Sequence, residues 1–227
     1  MKRFWKNVTV ADHGIVLDGR PVRTPGRVPL LLPTDALAEA VAAEWRDVGD
    51  TLDPRRMPLT GLANAAIDRI APDPLPFAAG LARYAESDLL CYRAEDPPEL
   101  VARQAAAWNP PLEWATMRYD VHFTVTAGIV PVEQPAATVA RLADAIATRD
   151  AWMLAALSPV VTIAGSLILA LVLAEEAMTP DAIWAAAQID EDWQTERWGE
   201  DTLATAATAA RRAEYDAAVR FLSALRE

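Results

Sequence analysis

The chain carries one cysteine, Cys91, and two histidines, His13 and His122, all far apart in sequence. A lone cysteine forms no internal disulfide and fits a reducing compartment. Cys91 reads as a small core residue rather than a nucleophile, because neither histidine stands near it. With those three residues scattered, no soft-metal cluster can be assembled from them. Basic charge is also in deficit: 21 Lys and Arg against 32 Asp and Glu give a formal net charge of -11. A partner bound through its phosphate backbone needs clustered Lys and Arg, so nucleic acid is not expected. Neither GxxxxGK(S/T) nor GxGxxG occurs, so no loop announces a nucleotide phosphate, and Gly165-Ser166 lacks the flanks of a nucleophile elbow. The opening MKRFWKNVTV has two early basic residues and no apolar stretch behind them, so no secretory signal is read there. Strand-like sequence begins by Phe4, so no transit peptide is expected within these residues.

What is present is apolar. Of 227 residues, 52% are hydrophobic, enough for one large or two small domains with a sizeable core. Alanine is abundant, which favours helices wherever local propensity decides. The run from Ala151 to Ala174 contains no formal charge. It is long enough to raise a membrane span, yet Ser158-Pro159 interrupts it and is expected to kink or split the helix. The remainder, Val160 to Ala174, would rise roughly 22 Å at about 1.5 Å per residue, short of the roughly 30 Å bilayer core. Its flanks, Asp150, Glu175 and Glu176, are acidic where an anchored span carries Lys or Arg. The expectation is a central buried helix wrapped by amphipathic ones, with no stable membrane insertion.

Along the chain, Trp5 to Val10 and Ile15 to Leu17 carry strand-forming residues around Asp12-His13-Gly14. Asp18-Gly19 is a hairpin signal, since a type I′ turn needs positive φ at both central positions. Arg20 to Pro25 and Val28 to Leu32 are expected as further strands, the first at an edge because of its prolines. Thr34 is placed as cap of a helix carrying Leu37, Val41, Glu44 and Trp45 that stops at Gly49, and a second helix is expected over Met57 to Ile70. Pro72, Pro74 and Pro76 mark the domain boundary. Beyond it, helices are expected over Phe77 to Ser87, Pro97 to Trp108 and Leu112 to Tyr119, with Asn109-Pro110-Pro111 turning the chain between the last two. An extended segment over His122 to Ile129 precedes a helix over Ala136 to Ile146. Thr179-Pro180-Asp181 starts a helix that carries Trp184, Ile189, Trp193 and Trp198 to Gly199, and Thr202 to Leu225 is the last. The fold class is thus an α+β N-terminal domain over 1–75, made of antiparallel hairpins plus helices, followed by an all-α domain over 76–227 built round the central apolar helix.

Acids cluster once, at Asp190-Glu191-Asp192, in a stretch rich in tryptophan. On one continuous helix, Trp184, Ala187, Glu191 and Trp198 share a face, with Ile189 and Trp193 on another. Such a face is either a solvated helix with an acidic rim or a partner contact with aromatic anchors beside a charge. An enzyme using the same carboxylates for acid-base work is the rival, and it needs a pocket and a carboxylate with a raised pKa. Trp5, Trp45 and Trp193 are assigned to the core.

Seven motifs then occur in order: Phe4-Trp5-Lys6-Asn7-Val8, Leu17 to Pro25, Ala43-Glu44-Trp45, Met57-Pro58-Leu59-Thr60, Asp88 to Arg93, Gly165-Ser166-Leu167 and Trp193 to Gly199. Together they resemble the assembly chaperones of the ATP synthase F(1) sector that handle its alpha subunit. The resemblance covers nearly the whole chain. It implies a small α+β domain joined to a helical one, no cofactor, and an ATP-independent chaperone of the bacterial cytoplasm that holds free alpha subunit until beta replaces it. A monomer is expected. It also implies a client-binding role for Glu191, with Asp190, Asp192, Trp184 and Trp198 beside it.

Overall fold

Two tight turns set the N-terminal sheet. Asp12 and His13, then Asp18 and Gly19, all take positive φ, which reverses the chain twice within a few residues. In the computed structural model, which describes residues 2–128, 130 and 132–227, these turns join β1 (Val8–Ala11), β2 (Gly14–Leu17) and β3 (Arg20–Pro21) into an antiparallel sheet of order β1-β2-β3. The Asp18 carboxylate accepts from the backbone N–H of Lys6 and Asn7 at 3.0 and 2.8 Å, closing the hairpin onto the incoming chain. Those hydrogen bonds hold its pKa below the usual value. The strand expected over Val28 to Leu32 is not formed. Only isolated bridges remain, Arg23 with Pro29 and Gly14 with Leu31, because Pro29 has no N–H to give a ladder.

Helix α1 (Asp35–Arg46) starts at Thr34, whose hydroxyl accepts from Leu37 N–H at 3.1 Å, and buries Leu37, Ala38, Val41, Ala42 and Trp45 on one stripe. It ends at Asp47, before the expected Gly49. Helix α2 (Pro58–Ala65) continues through one π-helical turn, Ala66–Ile70. Its capping residue Met57 has no side-chain acceptor, so Glu44 of α1 supplies one. That carboxylate takes Leu59 N–H at 2.7 Å, and Thr60 N–H and hydroxyl at 2.8 and 2.7 Å.

The remaining elements are α3 (Pro74–Ala82), β4 (Tyr92–Arg93), α4 (Pro98–Tyr119), β5 (Thr126–Ala127), α5 (Ala136–Ala147), α6 (Ala151–Ala164), α7 (Leu167–Ala174), α8 (Pro180–Ala187), α9 (Ile189–Trp198) and α10 (Thr202–Ala224). The region is helical apart from one short parallel pair, in which Tyr92 meets Thr126 and Arg93 meets Ala127. The extended segment read over His122 to Ile129 is a strand only at β5, and Ile129 lies outside the described residues.

Neither proline site splits its helix, and one break falls elsewhere. Helix α4 runs unbroken through Pro110 and Pro111, held from below by buried Gln104, Trp108, Leu112 and Ala115. Helix α6 likewise contains Pro159. The apolar run breaks instead at Gly165, which takes φ +60°, and Ser166 then caps α7 through Leu169 N–H at 3.0 Å. All eight residues of α7 are buried, and it packs against α4 and α8. Among the described residues no helix is long and apolar enough to cross a membrane.

The chain divides into two compact units, neither continuous in sequence. One is Met1–Pro74 with Asp150–Ala156 and Glu214–Glu227, and the other is Leu75–Arg149 with Leu157–Ala213. In the first, Thr34 hydroxyl donates to the carbonyl of Ala224 at 2.5 Å, and Trp152 stacks on Phe221 at 6.3 Å.

Candidate functional site

The acidic, tryptophan-rich stretch lies within the second unit, and its geometry differs from that of one continuous helix. Gln188, at φ -108° and ψ 6°, closes α8 and precedes α9. The change of phase separates Trp184 from the residues that follow. Trp184 lies beneath the guanidinium of Arg212, 5.2 Å from its ring centre, and Arg212 pairs with Asp181 at 2.6 Å. Trp193 is buried, with Arg103 and Arg197 over its ring at 4.9 and 4.3 Å. Trp198 ends α9 with 79% of its surface exposed.

The three acids diverge. Asp190 accepts a hydrogen bond from Gln104 Nε2 at 2.7 Å. Glu191, exposed, faces Arg211 at 3.8 Å. Asp192 is also exposed, and partial burial together with neighbouring Glu196 raises its pKa. Arg103 bonds Glu196 at 2.8 Å and lowers the pKa of that glutamate in turn.

Gln104 is the joint of the site. Its side chain is 2% exposed, and its Oε1 accepts from Ala94 N–H at 2.8 Å while its Nε2 donates to Asp190. With an N–H on one side and a carboxylate on the other, only one orientation of the amide satisfies both. One buried residue of α4 therefore ties the segment after β4 to α9. On that segment Arg93 is held by Leu90 carbonyl at 2.9 Å, by Asn109 at 3.0 Å and by the ring of Trp108, 5.2 Å away.

Between the 92–97 segment and α9 lies an open groove of about 940 Å3. Its walls carry the rings of Tyr92, Trp193 and Trp198, the carboxylates of Glu95, Asp96, Glu99 and Asp190, and the arginines Arg93 and Arg197. Of the residues assigned from sequence, the groove gathers Asp190, Trp193 and Trp198, and leaves out Glu191, Asp192 and Trp184. Glu95, Asp96, Glu99 and Gln104 were not anticipated. The legible signal for Gln104 was a polar residue four before Trp108, on the buried stripe of α4.

Trp5 and Trp45 sit in the first unit, 3% and 8% exposed, with ring centres 5.3 Å apart. Trp5 Nε1 donates to the carbonyl of Trp45 at 3.3 Å. The indole N–H of Trp45 is buried with no partner among the described residues.

The carboxyl pushed up to about 6 is Asp88, and it is not in the groove. Burial raises it, against hydrogen bonds from Ile168 N–H, Ser166 hydroxyl and Leu90 N–H. It is 0% exposed and caps the start of α7. Burial and the adjacent Asp88 push the Cys91 thiol up to about 12, the behaviour of an inert core cysteine. Among the described residues no group of three or more His, Cys, Asp or Glu could hold a metal.

An open groove with aromatic walls, preformed by a buried amide, suits the binding of another protein's side chains. Comparison with known proteins gives the same class: a family model described as ATP12 chaperone protein matches residues 2–116. The crystal structure of Atp12 from Paracoccus denitrificans superposes with a TM-score of 0.91 at 40% identity, covering 99% of this chain and 98% of that one. The Atu1473 protein of Agrobacterium tumefaciens, described as a candidate chaperone, gives a TM-score of 0.93 at 42% identity over 99% of this chain and 86% of that one. The mitochondrial protein atp12 of Schizosaccharomyces pombe is 27% identical over 214 residues, 87% of this chain and 74% of its own. The chain belongs to the ATP12 chaperone family, the ATP synthase assembly chaperones that its ordered motifs resemble.

Proposed function

We propose that the protein is an ATP-independent chaperone of the bacterial cytoplasm that, as a monomer, binds the unassembled F(1) alpha subunit and keeps it competent for assembly. The observation that carries this reading is the exposed Trp198 at the mouth of a preformed groove, in a chain of this family. An exposed indole beside a groove offers a partner an aromatic anchor, and a subunit awaiting its neighbours exposes apolar surface that needs a temporary cover. Asp190 supplies charge within the groove, Glu191 and Asp192 stand outside it on the same helix α9, and Trp184 lies on the preceding helix α8. The rival enzyme is less well supported. The carboxyl raised furthest, Asp88, is sealed beneath α7 and occupied by backbone donors, so it has no access to a substrate. Light scattering of alpha subunit diluted from denaturant tests the proposal. Equimolar protein is expected to suppress the aggregation signal without added ATP, and undiminished aggregation would rule the reading out.

A further inference from the structure

The charges of the groove do not balance from within. Glu95, Asp96, Glu99 and Asp190 line it, and none of them has an ion-pair partner among the described residues. The two arginines that share the groove are already engaged. Arg93 is spent on Leu90 carbonyl, Asn109 and the face of Trp108, and Arg197 lies over Trp193. Four carboxylates thus share one groove with no cation among the described residues paired to them, and a cation entering from outside is drawn to them. Beside them stands apolar surface of a kind that cations bind well: Tyr92, and Trp198 with 79% of its area in water. The walls are fixed in advance by Gln104, so little ordering is required on binding.

We propose that this groove seats an extended client segment bearing a basic side chain, its cation among Glu95, Asp96, Glu99 and Asp190 and its apolar neighbours on the exposed ring of Trp198. The inference rests on the chaperone reading and adds the chemistry of what is recognised: a lysine- or arginine-bearing stretch flanked by apolar residues. Such a stretch suits a subunit surface that is later covered by an acidic or aromatic neighbour. The net charge of -11 on the chaperone draws basic segments of a client inward and repels acidic ones.

Fluorescence anisotropy with two labelled peptides tests it on the full chain. One peptide alternates leucine and arginine, and the other alternates leucine and glutamate. The basic peptide is expected to bind and the acidic one not, with affinity falling at least about tenfold between about 0.02 M and about 0.3 M salt. Glu99→Lys is expected to weaken the basic peptide at least about tenfold. Trp198→Ala, at an exposed position that leaves folding intact, is expected to weaken it about fivefold. Equal binding of both peptides, no binding of the basic one, or affinity unchanged by both variants would overturn the inference. So would a dimer in sedimentation that Glu99→Lys disperses while the peptides fail to bind, since the groove would then serve a second copy. Light scattering of the alpha subunit with the same variants separates the two claims. If the wild type gives no protection, the alpha-subunit reading falls and the peptide result stands alone. If wild type and both variants protect equally, that reading survives and the groove assignment falls.

Discussion

Asp190 and Glu191 are consecutive on α9 yet serve opposite sides of it: Asp190 is hydrogen-bonded to the buried Gln104 at 2.7 Å, and Glu191 looks toward Arg211 of α10 at 3.8 Å. Successive residues on a helix diverge by about 100°, so a charge change at one is a different experiment from the same change at the other. Glu191→Lys is expected to fold with stability within about 0.5 kcal/mol of wild type, because the position is exposed and its ion pair is long. It is also expected to lose protection of the alpha subunit. Asp190→Lys should melt earlier by about 1 to 3 kcal/mol, since it removes the acceptor of a buried amide. Thermal melts and light scattering on both variants check this, and a Glu191→Lys protein that protects normally would shift the client contact to Asp190 or Asp192.

Trp45→Arg is expected to fail in folding rather than in binding. The indole is 8% exposed against Trp5, and truncating a buried aromatic costs about 3 to 5 kcal/mol before the burial of an unpaired charge is counted. Soluble yield and denaturant midpoint are the measurements. An unchanged midpoint with lost client binding would place Trp45 at the interface.

Asp88 predicts a pH dependence of definite sign. Its carboxyl titrates near 6 in the folded protein against an ordinary value of 3.8, so between those values the folded state holds a proton that the unfolded chain has released. Its contribution to stability is therefore greatest below pH 3.8, declines as pH rises toward 6, and is lower by about 3 kcal/mol above that. Asp88→Asn removes this titration and leaves one of the N–H groups of Leu90 and Ile168 without its acceptor. The gap in unfolding free energy between wild type and variant should widen as pH falls from about 7 to about 4. A constant gap would show that Asp88 is ionised throughout.

Glu44→Ala uncaps α2 from a distance. The carboxylate takes two backbone N–H groups and the Thr60 hydroxyl, and burial raises its pKa in spite of them. Loss of about 1 to 2 kcal/mol is expected in urea denaturation, with Glu44→Gln intermediate because its amide keeps one acceptor.

Much of this was legible in the chain itself. The Asp18-Gly19 turn, the Thr34 cap and the Thr179-Pro180-Asp181 start depend on local chemistry, and each stands where its residues require. Prolines do not end these helices: Pro110, Pro111 and Pro159 all sit inside helices whose apolar faces are buried, so the turn expected at Asn109-Pro110-Pro111 and a split at Pro159 are both absent. Gly165 was the real break, since a glycine at φ +60° followed by a capping serine ends one helix and begins the next. The groove was half legible. Asp190, Trp193 and Trp198 came from one stretch of sequence, whereas Glu95, Asp96, Glu99 and Gln104 reach them only through the packing of α4 on α9. Periodicity assumes one continuous helix, and the stretch is two, α8 and α9, with Gln188 between them.

The first unit joins segments far apart in sequence, and that sets a timetable for its birth on the ribosome. Residues 1–74 are made well before their partner segment 214–227, with residues 75–213 synthesised between for the most part on behalf of the other unit. At about 5 to 20 residues per second the wait is roughly 7 to 28 s. During that time the hydroxyl of Thr34 has no carbonyl of Ala224 to meet, and Trp152 has no Phe221 to stack on. Residues 1–74 are therefore completed only once residues 214–227 have been made, and a stop codon before α10 is finished would leave them without those contacts.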